Sequence, residues 1–290
     1  MTTVSPDSVF QYRPLLVSLA YRMLGQKQEA EDIVQDVYAR WLEMDIAAVQ
    51  QPRHYLMRAV TNRSINRLKT LQQQRVSYTG PWLPEPLMED PAPLMTGDKE
   101  LSIGLLFLLE KLNPLERAVF LLRESFDVPY KELEEILDIP EANCRQYLHR
   151  AREKLQQDKK RFSTDTARHR QLLEAFLDAC SRQDQEALIT LLKEDISFYG
   201  DGGGKASAAI HPLFGREVVM KVLLGIFRKP IAPAPQFRFL QVNGQPALAL
   251  FDGDTQTPLL CICFEEVDGA IDSFYFVRNP DKLKNIRLVS

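Results

Sequence analysis

Histidine and cysteine are scarce in this chain. The four histidines, His54, His149, His169 and His211, lie far apart, and neither they nor the four cysteines fall at metal-ligand spacing. No metal site is therefore expected. Cys144 and Cys180 fall in apolar helical patterns, while Cys261 and Cys263 fall on one face of a predicted strand. All four read as buried thiols of a reducing compartment. No apolar run reaches the roughly 18 residues needed to span a bilayer, so no membrane association is expected. The first residues, MTTVSPDSVFQYRP, lack the basic-then-apolar layout of a secretion signal, which predicts a cytoplasmic protein. Charge is nearly balanced, 36 basic against 39 acidic residues for a net of -3, so any partner must be read from local asymmetry.

What is present is organised around Pro129 to Leu155, PYKELEEILDIPEANCRQYLHRAREKL. Leu133, Ile136 and Leu137 line one side of a first helix. Asp138-Ile139-Pro140 makes a turn, with the proline suited to opening a new helix. In the second helix Cys144, Leu148, Ala151 and Leu155 recur at steps of four, three and four, one amphipathic stripe. Ala142, Asn143, Gln146, His149 and Arg150 then lie opposite the stripe, with Arg145 and Arg152 on a flank. Asn and Gln can pair bidentately with adenine and Arg with guanine, so this face suits the DNA major groove. A plain helical hairpin with a solvated basic face would show the same pattern.

Residues 52 to 75 carry Arg53, Arg58, Arg63, Arg67, Lys69 and Arg75 and no acidic residue. Asn62 and Asn66, like Arg63 and Arg67, are four apart and share a face; Tyr55, Leu56, Ala59 and Val60 supply the buried side. Six cations without counter-charge in their own helix favour a nucleic-acid backbone over a bare basic surface. The preceding helix, Glu29 to Met44, points Ala30, Ile33, Val34, Val37 and Trp41 inward and Asp32, Gln35 and Asp36 outward. That acidic face is either solvated or a docking face for a basic helix.

Residues 76 to 97 have no helical period and are stiffened by Pro81, Pro84, Pro86, Pro91 and Pro93. Trp82, Leu83 and Leu87 are costly to expose, so WLPEP (82 to 86) should dock on a neighbouring domain; Glu85, Glu89 and Asp90 make the linker acidic. Helices resume at Lys99. Asn113-Pro114 opens one with Leu115, Ala118, Val119 and Leu122 on one face, and the unit ends near Phe162 in a tail with seven Lys or Arg from Arg145 to Arg161. From about Ser163 the pattern changes. Two helices are followed by ISFYGDGGGKASAA, a helix from Arg216 to Phe227, and four alternating strands, an α+β cone.

Several motifs in order identify a resemblance over residues 8 to 160. AEDIVQDVYARW (30 to 41) and PRHYLMRAVTNRSINRLK (52 to 69) resemble region 2 of the extracytoplasmic-function (ECF) sigma factors of bacterial RNA polymerase. LNPLERAVFLLRE (112 to 124) and LHRAREKL (148 to 155) resemble their region 4. The resemblance implies two all-α sigma modules at 1–75 and 99–162, joined by a proline-rich acidic linker at 76–98. It implies core RNA polymerase and promoter DNA as partners. Asp32, Gln35 and Asp36 would face the polymerase clamp, and Asn62, Arg63, Asn66 and Arg67 the melted −10 element. Asn143, Arg145, Gln146, His149 and Arg150 would read the −35 duplex. Within a C-terminal domain at 163–290, residues 165 to 278 resemble the SnoaL-like, nuclear-transport-factor-like fold. WLPEP (with Trp82 and Pro84), DGGGK (Asp201, Gly202, Gly203, Gly204, Lys205) and NPDKL (Asn279, Pro280, Asp281) are similar to one sigma group whose fused extension acts as a built-in regulator.

An enzyme is the weaker expectation. Asp201 and His211 are the nameable titratable groups of the cone, and they form no convergent acid–base pair. DGGGK lacks the GxxxxGK[ST] spacing, with Ala206 where Ser or Thr would hold magnesium; its glycines suit a tight turn or a close backbone contact. The expected function is promoter selection without catalysis or cofactor, regulated by the C-terminal domain. A small ligand in the cone is compatible with the sequence, which names none. Two rivals are a stand-alone ligand-sensing helix-turn-helix regulator and a cyclase or isomerase fused to a DNA-binding module.

Overall fold

The computed structural model describes residues 6–44, 49–88, 102–156, 166–228 and 232–287. Glu89, Asp90, Pro91 and Pro93 of the linker, the basic tail beyond 156 and the expected boundaries at 98–99 and 162–163 lie outside these residues. The helices are α1 Arg13–Leu24, α2 Lys27–Glu43, α3 Pro52–Arg75, α4 Ile103–Leu108, α5 Pro114–Glu124, α6 Tyr130–Leu137 and α7 Glu141–Gln156. They are followed by α8 Thr166–Arg182, α9 Gln185–Leu191, α10 Arg216–Arg228 and the single turn α11 Pro280–Leu283. The described chain forms two compact units: 6–76 with 108–156, and 77–88 with 102–107 and 166–287.

In the first unit the local signals act where chemistry places them. Gly25 ends α1 in the left-handed region (φ 72°), and its N–H reaches the Tyr21 carbonyl at 2.7 Å. Asn113 caps α5 by accepting from Leu115 and Glu116 N–H, while the Glu116 carboxylate accepts from Asn113 N–H at 3.0 Å, a closed capping box. Asp138 (φ 55°) turns the chain out of α6, and α7 follows Pro140. Cys144, Leu148, Ala151 and Leu155 are all buried.

α5 buries more than the expected face, of which Ala118, Val119 and Leu122 are fully buried. Every residue from Glu116 to Leu122 is buried, and Leu115 is only partly so. The cause is position, since α5 packs against α1, α3 and α7 at once. Arg117 sits at its centre, fully buried, with Nε donating to the Arg22 carbonyl and Nη1 paired with Glu110.

The second unit is built on one six-stranded sheet. Its strands are β1 Leu192–Asp201, β2 Leu213–Phe214, β3 Pro235–Val242, β4 Gln245–Asp252, β5 Leu260–Val267 and β6 Ala270–Val277. The order is β2-β1-β6-β5-β4-β3. β3 to β6 form the expected antiparallel meander, and β1 joins parallel to β6. The period of two sorts side chains between faces. Leu248, Leu250, Leu260, Ile262, Phe264, Phe274 and Phe276 meet α8, α9 and α10 on the inner face. Ala247, Ala249, Phe251, Cys261, Cys263, Tyr275 and Val277 line the outer face.

The outer face is not solvated, and β5 is buried at every position. Leu83 from the linker and Ile103 from α4 complete its apolar cluster, and the Phe107 ring lies 4.7 Å from Tyr199 and 5.7 Å from Tyr275. At about 25 cal/mol per Å², covering a sheet face of this kind is a principal term in holding the linker and α4 in place.

Candidate nucleic-acid interface and linker anchorage

The helix-turn-helix turns the face opposite its apolar stripe to solvent, as the stripe requires. Asn143, Gln146, His149 and Arg150 on α7 are exposed, opposite buried Cys144 and Leu148. Arg145, on the flank, is exposed too. It is steered by Glu141 at 2.5 Å and by the Tyr130 ring, whose centroid lies 4.0 Å from the guanidinium carbon. His149 Nδ1 lies 3.3 Å from Glu153. Arg152 and Lys154 pair with Glu124 and Glu116, so they brace α7 against α5.

α3 differs. Its residues share a face, but three of the four are already engaged. Asn62 Nδ2 donates to the Ile136 carbonyl of α6 at 3.3 Å. Arg63 pairs with Asp36 at 3.1 Å. Arg67 makes two bonds of 2.5 Å to the Glu29 carboxylate, which hold the guanidinium above its usual pKa range. Asn66 alone of the four is exposed. His54 lies 3.5 Å from Glu135, a second link between α3 and α6.

The inference from uncompensated charge is thereby corrected. Arg63, Arg67 and Arg75 find Asp36, Glu29 and Glu110 on other segments, leaving Arg53, Arg58 and Lys69 exposed. A helix without acids says nothing about the acids that the tertiary fold brings to it. On α2, Asp32, Gln35 and Asp36 are exposed and share a face, with Asp32 accepting from Gln28 at 2.7 Å.

The linker is anchored on the second unit by a knot around Asp201, which is fully buried. One carboxylate oxygen accepts from Tyr78 Oη at 2.5 Å. The other accepts from Leu83 N–H at 2.9 Å and Lys282 Nζ at 2.6 Å. Lys282 also donates to the Leu83 carbonyl, and its ammonium lies 4.1 Å from the Trp82 ring centroid. Burial first, then the adjacent Asp201, pushes the Tyr78 phenol well above its usual range, so it remains a donor. Asn279 Nδ2 donates to Tyr78 Oη at 2.8 Å. Further along, Glu85 bonds Asn285, and Leu87 exchanges two bonds with Asn243, at 3.0 and 2.8 Å. Pro84 is buried between these points.

The glycines serve this knot. A Cβ on Gly203 (φ 57°) would sit 2.2 Å from the Asn279 amide and 2.9 Å from Tyr78 Oη, and one on Gly202 would meet the Ala206 carbonyl at 2.0 Å. Gly204 (φ 71°) completes the turn. Lys205, at its end, pairs with Asp281, whose carboxyl is held below its usual range chiefly by that bond. Pro280 opens α11 and Asn279 caps it. Sequence reasoning passed over Tyr78, Asn243, Lys282 and Asn285. Lys282 lies within NPDKL, but a lysine between Asp281 and Leu283 carries no mark of burial. His211 is exposed in a bend, and Asp201 is committed to Lys282, so the two do not form an acid–base pair.

The first unit thus joins a helix-turn-helix with an exposed polar and basic face to a cationic helix partly covered by carboxylates of α2. Sigma-70 region 2 matches residues 9–74 and Sigma-70 region 4 matches residues 103–155. The chain is 30% identical to the ECF RNA polymerase sigma factor SigJ of Mycobacterium tuberculosis, over 93% of this chain and 90% of that one. It is 29% identical to the probable ECF RNA polymerase sigma factor SigI of the same species, over 95% and 93%. The crystal structure of the M. tuberculosis SigJ superposes with a TM-score of 0.77 at 29% identity, over 97% of this chain and 99% of that one.

The chain belongs to the ECF RNA polymerase sigma factors. It directs RNA polymerase to promoters and is not itself an enzyme. Its C-terminal unit has the expected α+β class, with α8, α9 and α10 against one six-stranded sheet. The stand-alone regulator and the fused cyclase are not favoured. Among the described residues no helix is long and apolar enough to cross a membrane.

Proposed function

We propose that α7 reads the −35 duplex through Asn143, Arg145, Gln146, His149 and Arg150. Asn62, Arg63, Asn66 and Arg67 of α3 hold the −10 strand once it is melted. Asp32, Gln35 and Asp36 of α2 dock on the polymerase clamp, in the cytoplasm where polymerase and chromosome meet. The observation that carries this reading is the Arg63–Asp36 pair at 3.1 Å. One partner belongs to the −10 set and the other to the polymerase set. A basic clamp surface that takes Asp36 releases Arg63, and a separation of α6 from α3 releases Asn62. Polymerase binding then uncovers the strand-holding face, while α7 needs no such release.

The cone regulates by fixing the linker. Trp82 and Pro84 flank Leu83, whose backbone is held by Asp201 and Lys282, and Lys282 also lies over the Trp82 ring. Gly202, Gly203, Gly204 and Lys205 shape the turn that admits Asn279, and Pro280 and Asp281 close it. The path open to residues 77–88 is set there, and with it the reach between the two DNA-binding modules.

In vitro transcription with core polymerase tests the assignment. Gln146→Ala and Arg150→Ala should each weaken −35 protection by about 1–3 kcal/mol, the worth of a bidentate base contact. Asn66→Ala with Arg67→Ala should spare −35 protection and abolish permanganate reactivity at −10. Normal melting by the α3 double variant would reject the −10 role.

A further inference from the structure

Between α10 and the inner face of the sheet lies a cavity of about 520 Å³, within the 300–1,000 Å³ range of small-molecule sites. Phe198, Leu260 and Phe276 form its sheet wall, and Val222, Gly225 and Ile226 its helix wall. The segment from Ser207 to Ala209 and one charged residue, Arg278, complete it. Apolar atoms dominate, so the body of any occupant must be apolar.

Arg278 is the exception that gives the cavity a direction. Its Nη1 donates to the Ser207 carbonyl at 2.5 Å. Its Nε is buried with no hydrogen-bond partner, and among the described residues no carboxylate pairs with it. A guanidinium is the side chain best matched to a carboxylate, and Arg278 is the charged group in the cavity wall. Burial also lowers the Arg278 pKa, the mark of a cation short of counter-charge.

We infer that the cone binds a small apolar monocarboxylate, its hydrocarbon body between α10 and β1, β5 and β6 and its carboxylate on the Arg278 guanidinium. The site is distinct from the linker knot but adjoins it. Arg278 precedes Asn279, its backbone N–H donates to the Asp201 carbonyl at 2.7 Å, and Ser207 follows the glycine turn. The inference stands on the cone alone and does not depend on the DNA-contact assignments.

Calorimetric titration of the full chain with decanoate, decanol and decylammonium, below their micellar concentrations, tests it. Decanoate should bind about tenfold or more tighter than decanol, the gain expected of a charge-assisted hydrogen bond, and decylammonium more weakly than either. Arg278→Gln should bring decanoate and decanol level. Gly225→Leu should lose both. An added Cβ at Gly225 meets nothing within 4 Å, and leucine is the better helix former, so this variant keeps its fold while filling the cavity. Equal affinity for decanoate and decanol, no binding of either, undiminished binding to Gly225→Leu, or a preference that survives in folded Arg278→Gln would each overturn the inference.

Discussion

Two sets of contacts tie basic side chains down in this chain, and they differ in depth. On α3, Arg63 and Arg67 meet carboxylates that keep much of their solvent: the Asp36 side chain is 71% exposed and the Glu29 side chain 25%. In the linker knot, Lys282 and Asp201 are 6% and 0% exposed, with Trp82 and Tyr78 around the ammonium. Exposed pairs are worth about 0.2–1 kcal/mol each and weaken with salt. Removing one partner from a buried pair costs about 3–5 kcal/mol, because the other charge is stranded. The α3 face is therefore covered by contacts that a competing partner can displace, whereas the linker anchorage is part of the second unit's own structure. The proposed function uses that asymmetry, with an α3 face that opens on polymerase and a linker that keeps a defined path.

The sharpest way to break the comparison is Asp201→Ala. It strands Lys282 and leaves Tyr78 Oη and Leu83 N–H without their acceptor, so denaturant unfolding of the second unit should show a loss of about 3–5 kcal/mol. A loss under about 1 kcal/mol would make the knot as cheap as the α3 pairs. Leu83→Ala comes next. Leu83 is fully buried in the outer cluster, and truncation should cost about 2–5 kcal/mol, with the Trp82 environment changing in fluorescence as the linker loosens.

A pH scan sharpens the same contrast. Glu265 is pushed from an ordinary 4.5 up to about 8, mainly by burial, and bonds Ser102 and Gly104 at the start of α4. Its folded pKa lies above its unfolded one. Its contribution is therefore fully present below about 4.5 and is lost as pH rises to about 8. Glu265→Gln should flatten that loss of stability across the window. His169, stacked on Phe264 and depressed by burial to about 4, acts with the opposite sign; its contribution is present above about 6.5 and is lost as pH falls toward 4. The smallest effect belongs to α3. A double-mutant cycle on Arg63→Ala and Asp36→Ala should give a coupling below about 1 kcal/mol that fades with added salt. A coupling of several kcal/mol would mean that polymerase must displace a strong internal pair.

Much of the fold was legible in the chain because its signals are local. The stripe of Cys144, Leu148, Ala151 and Leu155, the Asn113 cap, the Gly25 stop and the alternation of β4 to β6 each depend on neighbours a few residues away. The reading face of α7 follows from the same periodicity, and the ECF resemblance from ordered motifs. Arg117, Tyr78 and Lys282 were not legible, because each is held by partners 81 to 201 residues away.

The sequence by itself determined which segments are helix or strand, which face of each is apolar and which family the chain joins, since periodicity and motif order are carried along the backbone. The tertiary structure alone decided that Arg63 and Arg67 of α3 are matched by acids of α2, that the outer face of the sheet is covered by the linker and α4, and that no carboxylate among the described residues pairs with Arg278. Charge compensation and burial are properties of what surrounds a residue in space, and a one-dimensional pattern does not contain them.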